Sequence, residues 1–393
     1  MNDRFPNLNR PNVNDAAPAG AEPESQFVKM AKELERIKKS QRDIVAGTKD
    51  IKAVTLYQQP SNRPRLDLEI NGKGAWSLTD HGHNQLALKC GIPERYYWAM
   101  LDAGMIELTA ENVNAWLSKQ ADKRLVRIAD VNGEGIPKIR ALLSDRYRPL
   151  DNFDLAMLTM ERAQKFGAYP QECQLTETRM YIKLVVPSQL RYLTSADNPS
   201  FRPNIHRRPD TRFSADLDKD PHFPGLIVSN SEVGDGAFRV EPFVYRLVCS
   251  NGLIGTESFY KIHLGTKLEV GELFSTDTKK LMDETLWSQV KDIIGLTFNG
   301  DLMQRYLDKI SASKTFIIEK PVETVDVNVK NLGLSEEKRD ALLQYFSAEG
   351  HTLFGLTNGI TRLAQDFERY DDKIRLERYA GQVLEKPVEV IAK

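Results

Sequence analysis

Arg179-Met180-Tyr181-Ile182-Lys183-Leu184-Val185-Val186 is the stretch on which the fold turns. Side chains of a strand alternate between its two faces, so Met180, Ile182, Leu184 and Val186 share one side and Arg179, Tyr181 and Lys183 the other. An apolar face backed by a charged one belongs to an antiparallel sheet with one side on a core; strands of a doubly wound parallel sheet are apolar on both faces. The whole segment Leu175 to Val186 therefore predicts a strand. Leu125 to Val131, Ile136 to Leu143, Leu226 to Ser229 and Ala237 to Val248 read the same way, with one clear helix between them from Asn152 to Phe166. Strands in succession with few helical crossovers predict an α+β fold: a largely antiparallel sheet domain over residues 50–270 with flanking helices. Gly133-Glu134-Gly135 reads as a hairpin turn within it.

Toward the N-terminus, Ser25 is placed to cap a helix running to about Ala46, with Phe27, Met30, Ala31, Leu34 and Ile37 on its apolar face and Gly47 ending it. Residues 1–24 carry Pro6, Pro11, Pro18 and Pro23 among small polar residues and read as a disordered leader. Short β-like pieces follow at Val54 to Tyr57 and Leu66 to Ile70. Thr79 or Asp80 then begins a helix to Leu88, and Gly91-Ile92-Pro93 stops it and starts another through Tyr96, Tyr97 and Leu101. DNA-reading units share this helix-turn-helix outline, but the commoner use of such a pair is packing.

Toward the C-terminus, residues 277–393 read as a helical module. Thr278 to Ile294 and Leu302 to Ala312 come first, then a Val-rich connector from Val322 to Val329. Ser335 caps a helix to Phe346 that Gly350 ends, and one amphipathic stretch runs from Leu356 to Leu384. Its stripe of Leu356, Ile360, Leu363, Phe367, Tyr370, Ile374 and Tyr379 needs a partner surface, either its own core or a second copy of the chain. Inside the sheet domain, residues 188–224 form a long polar loop with five prolines, a length that usually marks a functional or mobile segment.

Composition narrows the function. The 393 residues carry 54 Lys plus Arg against 55 Asp plus Glu, a net charge of -1, which excludes the globally basic signature of histone-like proteins. Cys90, Cys173 and Cys249 are odd in number and lack C-x-x-C spacing, as expected in a reducing cytoplasm. No apolar run approaches the roughly 18 residues of a membrane helix, and the N-terminus lacks the order of a signal peptide. Phosphate-cradling motifs are missing as well: Gly265-Thr266-Lys267 lacks the preceding glycine and the terminal hydroxyl residue, so no nucleotide cofactor is expected. His81-Gly82-His83, with Asp80 and Cys90 nearby, is the one tight group of metal-capable residues. On a helix the two histidines would diverge by about 200°, and no metal site is expected there. Ser229-Asn230-Ser231-Glu232-Val233-Gly234-Asp235-Gly236 reads as a turn between strands. An enzyme built there would be a two-metal nuclease using Glu232, Asp235 and Glu241 with His222 or His263.

Basic residues interleaved with aromatics point to a different chemistry. Residues 121–215 hold 16 Lys plus Arg against 11 Asp plus Glu, an excess of five in a chain that is otherwise slightly acidic. An aromatic ring between cations suits base stacking with phosphate neutralisation. On this reading Lys138, Arg140, Arg146, Arg148, Arg179 and Lys183 neutralise phosphates and Tyr181 stacks a base. The loop closes over the strand with Arg191, Arg202, Arg207, Arg208 and Arg212. The expected partner is nucleic acid, single-stranded DNA in particular, bound without any bond being broken. The ordinary alternative is the charged solvent face of an antiparallel sheet.

Several stretches also carry a family likeness. Gly91-Ile92-Pro93-Glu94-Arg95-Tyr96 and Leu143 to Asn152 belong to it, and so do Ser229-Asn230-Ser231-Glu232-Val233-Gly234 and Arg246-Leu247-Val248-Cys249-Ser250-Asn251-Gly252-Leu253. Leu356-Thr357-Asn358-Gly359-Ile360-Thr361 and Glu377-Arg378-Tyr379-Ala380-Gly381 complete the set. Over residues 75 to 385 the chain resembles the phage- and plasmid-associated family catalogued as domain of unknown function nine-three-two. The resemblance implies a mobile-element origin and a role in the host cytoplasm, and it supplies no catalytic residues. The segment Lys261-Ile262-His263-Leu264-Gly265-Thr266-Lys267 is less basic than that family's usual pattern.

Overall fold

A computed structural model describes residues 25–58, 63–147, 149–192, 220–247, 251–255, 260–262, 281, 284–285, 287–289, 291–292, 294, 301–385 and 387. The fold is α+β, and among the described residues the strands form three sheets in which every pairing is antiparallel. Helix α1, Gln26–Ser40, begins where the Ser25 hydroxyl accepts from the Val28 amide. It ends short of Ala46. Strand β1, Arg42–Gly47, takes over because the β-branched pair Ile44 and Val45 lies opposite Val126 and Leu125 in β5, Lys123–Ala129.

Strands β2, Ile51–Gln58, β3, Arg63–Ile70, and β4, Ala75–Ser77, form a small sheet of their own. It is covered by α2, Asp80–Lys89, α3, Glu94–Asp102, and α4, Ile106–Lys119, through Leu66, Leu68, Leu86, Tyr97 and Val113. The helix-turn-helix outline is thus α2 and α3 packed on a core; α4 was not foreseen from the sequence pattern. Strand β6, Lys138–Ser144, completes the sheet β1-β5-β6. The Gly133-Glu134-Gly135 turn joins its two later strands, with the Asp130 carboxylate accepting from all three amides.

After α5, Asn152–Lys165, comes the largest sheet. It contains β7, Tyr169–Leu175, β8, Met180–Val185, β10, Pro221–Asn230, β11, Phe238–Arg246, and β12, Asn251–Ile254, in the order β12-β11-β10-β8-β7. Two short strands, β9 at Arg191–Tyr192 and β13 at Tyr260–Ile262, pair with β10 and β11. The predicted strand Leu175 to Val186 is therefore the turn and second arm of a hairpin. Its alternation holds: Met180, Ile182 and Leu184 pack with Leu226, Val228 and Phe238 against α1 and α5.

The opposite face is covered too. The C-terminal helices are α6, Asp301–Ser313, α7, Pro321–Leu332, α8, Glu336–Glu349, α9, Leu353–Leu363, and α10, Tyr370–Glu385. The Val322 to Val329 connector lies inside α7, which Pro321 starts and Gly333, in the left-handed region, stops. The stretch Leu356 to Leu384 is two helices, because the chain leaves α9 through a single 3-10 turn before α10 begins. Helix α10 lies on the sheet, where Ile374 joins Tyr181, Ile227, Phe243 and Tyr245. A Cβ on Gly381 would stand 2.0 Å from the Ile254 carbonyl oxygen, so glycine is what lets the helix come this close. Cys90 and Cys173 are buried and in no disulfide. Among the described residues no helix is long and apolar enough to cross a membrane.

Candidate nucleic-acid interface

The charged stripe of β8 meets α10, and this contact decides which of the predicted contact residues remain available. Lys183 is 1% exposed, and its ammonium lies 2.9 Å from Glu172 and 2.8 Å from Glu377 of α10. Lys373 of the same helix adds a second cation on Glu172 at 2.8 Å. Burial alone would raise the Glu172 carboxyl, but Lys183 and Lys373 outweigh it and hold the group at about 2. The Tyr181 hydroxyl donates to Asp371 at 2.7 Å, and its ring leans on Tyr370. Burial, reinforced by that hydrogen bond, raises the phenol well above its ordinary range. Lys183 and Tyr181 are thus corrected from a solvent face to a helix-sheet joint. A strand with one polar face reads alike whether that face meets water or the polar side of a helix.

Arg140 is corrected for a similar reason. It is buried and donates to Glu232 at 2.9 Å, the carboxylate that also accepts from the Asn152 amide at 2.8 Å and stands 3.7 Å from Arg127. Around it, Val233 offers its carbonyl to Gln85 and His81, and Tyr147 donates to the Ser231 carbonyl. The Ser229 to Gly236 segment is therefore a clamp between the small N-terminal sheets and the large one. The three acids of the nuclease alternative are each paired with a guanidinium: Glu232 with Arg140, Asp235 with Arg179 at 3.2 Å, Glu241 with Arg378 at 2.5 Å. Among the described residues no group of three His, Cys, Asp or Glu is disposed to hold a metal. His83 accepts from or donates to Tyr97 at 2.7 Å, away from the contact of His81 with Val233.

Of the other predicted contacts, Lys138 is half-buried at the start of β6, Arg146 is exposed in the turn after it, and Arg191 is exposed on β9. None of the three lines the groove described below. Arg148, Arg202, Arg207, Arg208 and Arg212 lie outside the described residues, as do His263, Cys249 and the leader.

Two of the predicted contact residues border one groove, Arg179 and the nearly buried Tyr181. Arg179 lies on the floor of this groove, of about 1060 Å³, where three parts of the fold meet. The turn before β8 supplies Arg179 and β11 supplies Arg239, α10 supplies Arg375 and Arg378, and α2 and α3 supply His81 and Trp98. Register explains the floor: Tyr181, Ser229 and Arg239 are direct partners across β8, β10 and β11. Asp80, Glu177, Asp235, Asp371 and Asp372 line it together with the cations, and the largely exposed Arg369 stands at the rim. Most of these acids are already engaged. Asp235 accepts from Thr178 at 2.7 Å and from Arg179; burial would raise it, but these two partners hold it ionised below its ordinary range.

No family model, curated protein or solved structure matches the chain. The groove is read on its own chemistry. Three of its arginines hold their nearest carboxylate only loosely: Arg239 at 3.7 Å from Glu241, Arg375 at 3.8 Å and Arg369 at 4.0 Å from Asp372. Trp98 presents a large ring whose indole N–H is anchored to Asn84 at 2.6 Å. Arg239, Arg369, Arg375, Arg378 and Trp98 escape a sequence reading that looks for basic runs, since they sit on α3, β11, α10 and the bend before α10. The one visible signal is the spacing Arg375-x-x-Arg378, which puts both on one helix face.

Proposed function

We propose that this chain is a nucleic-acid-binding protein of phage or plasmid type that holds single-stranded DNA in the groove, serving annealing or recombination without nucleotide hydrolysis. The observation that carries the reading is the set of loosely held guanidiniums of Arg239, Arg369 and Arg375 in one groove with the Trp98 ring. Cations answer phosphates, and a ring wall answers an unstacked base in a way that tolerates any sequence. Membership of the family named from its motifs, action in the host cytoplasm and self-association belong to the same proposal.

The test is fluorescence anisotropy of a labelled oligothymidylate across a salt series, with duplex DNA and single-stranded RNA in parallel. Three loosely held arginines correspond to about three phosphate contacts, so log K against log salt should slope near -2, a loss of roughly 20-fold between about 50 and 200 mM. A slope of about -5, or no binding at low salt, would refute the groove as the seat of binding.

A further inference from the structure

We infer that Arg239, flanked by Arg179 and Arg378, forms a seat for a phosphate oxyanion on the groove floor. This rests on the nucleic-acid reading above and names the group that anchors the ligand. Arg179 donates to Asp235, and Arg378 spans both oxygens of Glu241 while donating to Ser229 at 3.2 Å. The Arg239 guanidinium makes no hydrogen bond to any described residue. Its Nε is buried without a partner, and the carboxylate nearest to it has been taken by Arg378. With a side chain 28% exposed, it keeps Nε shut away from water and leaves its two terminal nitrogens open to a ligand.

The surroundings favour an anion. Burial lowers the proton affinity of Arg239, Glu241 opposes this, and Arg378 and Arg179 add to the lowering. An anion between the three guanidiniums would relieve that repulsion. Asp235, Glu241 and Asp371 stand close by and offset much of the charge, so this part of the floor suits one phosphate group of a ligand. A planar guanidinium with free N–H groups binds phosphate through two parallel hydrogen bonds, and a lysine cannot copy that geometry. Such a phosphate is either an internal phosphodiester of a strand or the terminal phosphate of a shorter ligand.

The experiment compares the full-length protein with its Arg239→Gln and Arg239→Lys variants. Oligothymidylate with and without a 5′-phosphate is titrated by anisotropy, and thermal unfolding is followed in inorganic phosphate against chloride of equal ionic strength. Arg239→Gln should weaken strand binding about ten-fold, the loss of one charge-assisted contact, with Arg239→Lys in between. Equal losses on both oligonucleotides assign the seat to an internal phosphodiester; a loss confined to the phosphorylated one assigns it to a terminal phosphate. Phosphate should raise the melting temperature of the wild type and leave Arg239→Gln unmoved. Strand affinity unchanged in Arg239→Gln overturns the seat while leaving the groove. If the wild type binds no strand, the function proposed above fails, and the phosphate-dependent melting shift alone decides the seat: present in wild type and absent in the variant it stands, otherwise it falls.

Discussion

Replacing Lys183 by Met separates the two roles open to this residue. On the surface of a sheet the loss of one lysine would leave stability within about 0.5 kcal/mol and weaken nucleic-acid binding. In the structure the ammonium is 1% exposed between Glu172 and Glu377. Met fills the same volume, so the cost comes from the charges left behind. Glu172 keeps Lys373 at 2.8 Å, but Glu377 is fully buried and keeps, among the described residues, only the Gln365 amide at 3.3 Å. Removing one partner of a buried pair costs about 3–5 kcal/mol, because the other must stay charged without compensation or take up a proton. At about 2–3 °C per kcal/mol, the melting temperature should fall by roughly 6–15 °C. The double variant Lys183→Met with Glu377→Gln removes both charges and should recover most of the loss. Calorimetry on the four proteins of this cycle measures the coupling, and oligonucleotide anisotropy well below the transition measures binding. A melting temperature within about 2 °C of wild type, together with lost strand affinity, would show that α10 does not seat on the stripe and would refute the reasoning.

Two further expectations follow from the same joints. Glu232→Gln leaves Arg140 buried with no other carboxylate among the described residues, and urea unfolding should record a loss of about 3 kcal/mol; undiminished stability with loss of a metal-dependent DNA cleavage would instead revive the nuclease. Stability should also fall in acid in two steps. Burial holds His222 and His83 near 4 in the folded state against an ordinary 6.5, so each favours the fold above pH 6.5 and loses up to roughly 3 kcal/mol as the pH drops from there to 4. Glu172, held at about 2, contributes above its ordinary 4.5 and is lost as the pH falls through 2. Urea midpoints measured from pH 7 to 3 should decline below pH 6.5, and His222→Asn should remove about half of the decline between pH 6.5 and 4, His83 keeping the rest; a flat wild-type profile between pH 6.5 and 4 would contradict the burial of these rings.

Much of the architecture can be seen in local pattern. Ser25, Thr79 and Ser335 cap the helices they were read to cap, since an N-cap depends on a hydroxyl reaching an amide only two or three residues on. The turn at Gly133-Glu134-Gly135 and the alternation of β8 are legible for the same reason. Boundaries are less so: α1 gives way to β1 because the partner strand β5 lies some eighty residues away, and Val322 to Val329, whose β-branched residues look strand-like, becomes α7 under the control of Pro321 and Gly333.

The site was the least legible part. Period-two alternation determined by itself that Arg179, Tyr181 and Lys183 share a face, because that follows from backbone geometry within a few residues. What the face meets was decided by α10, nearly two hundred residues further on, whose Asp371 and Glu377 answer Tyr181 and Lys183 across a contact that Gly381 lets close. A charge on a strand looks the same in sequence whether water or a buried carboxylate solvates it. Only the packed chain settles that Arg140, Tyr181 and Lys183 are held within the protein while Arg239 is left with unfilled donors on the floor of a groove.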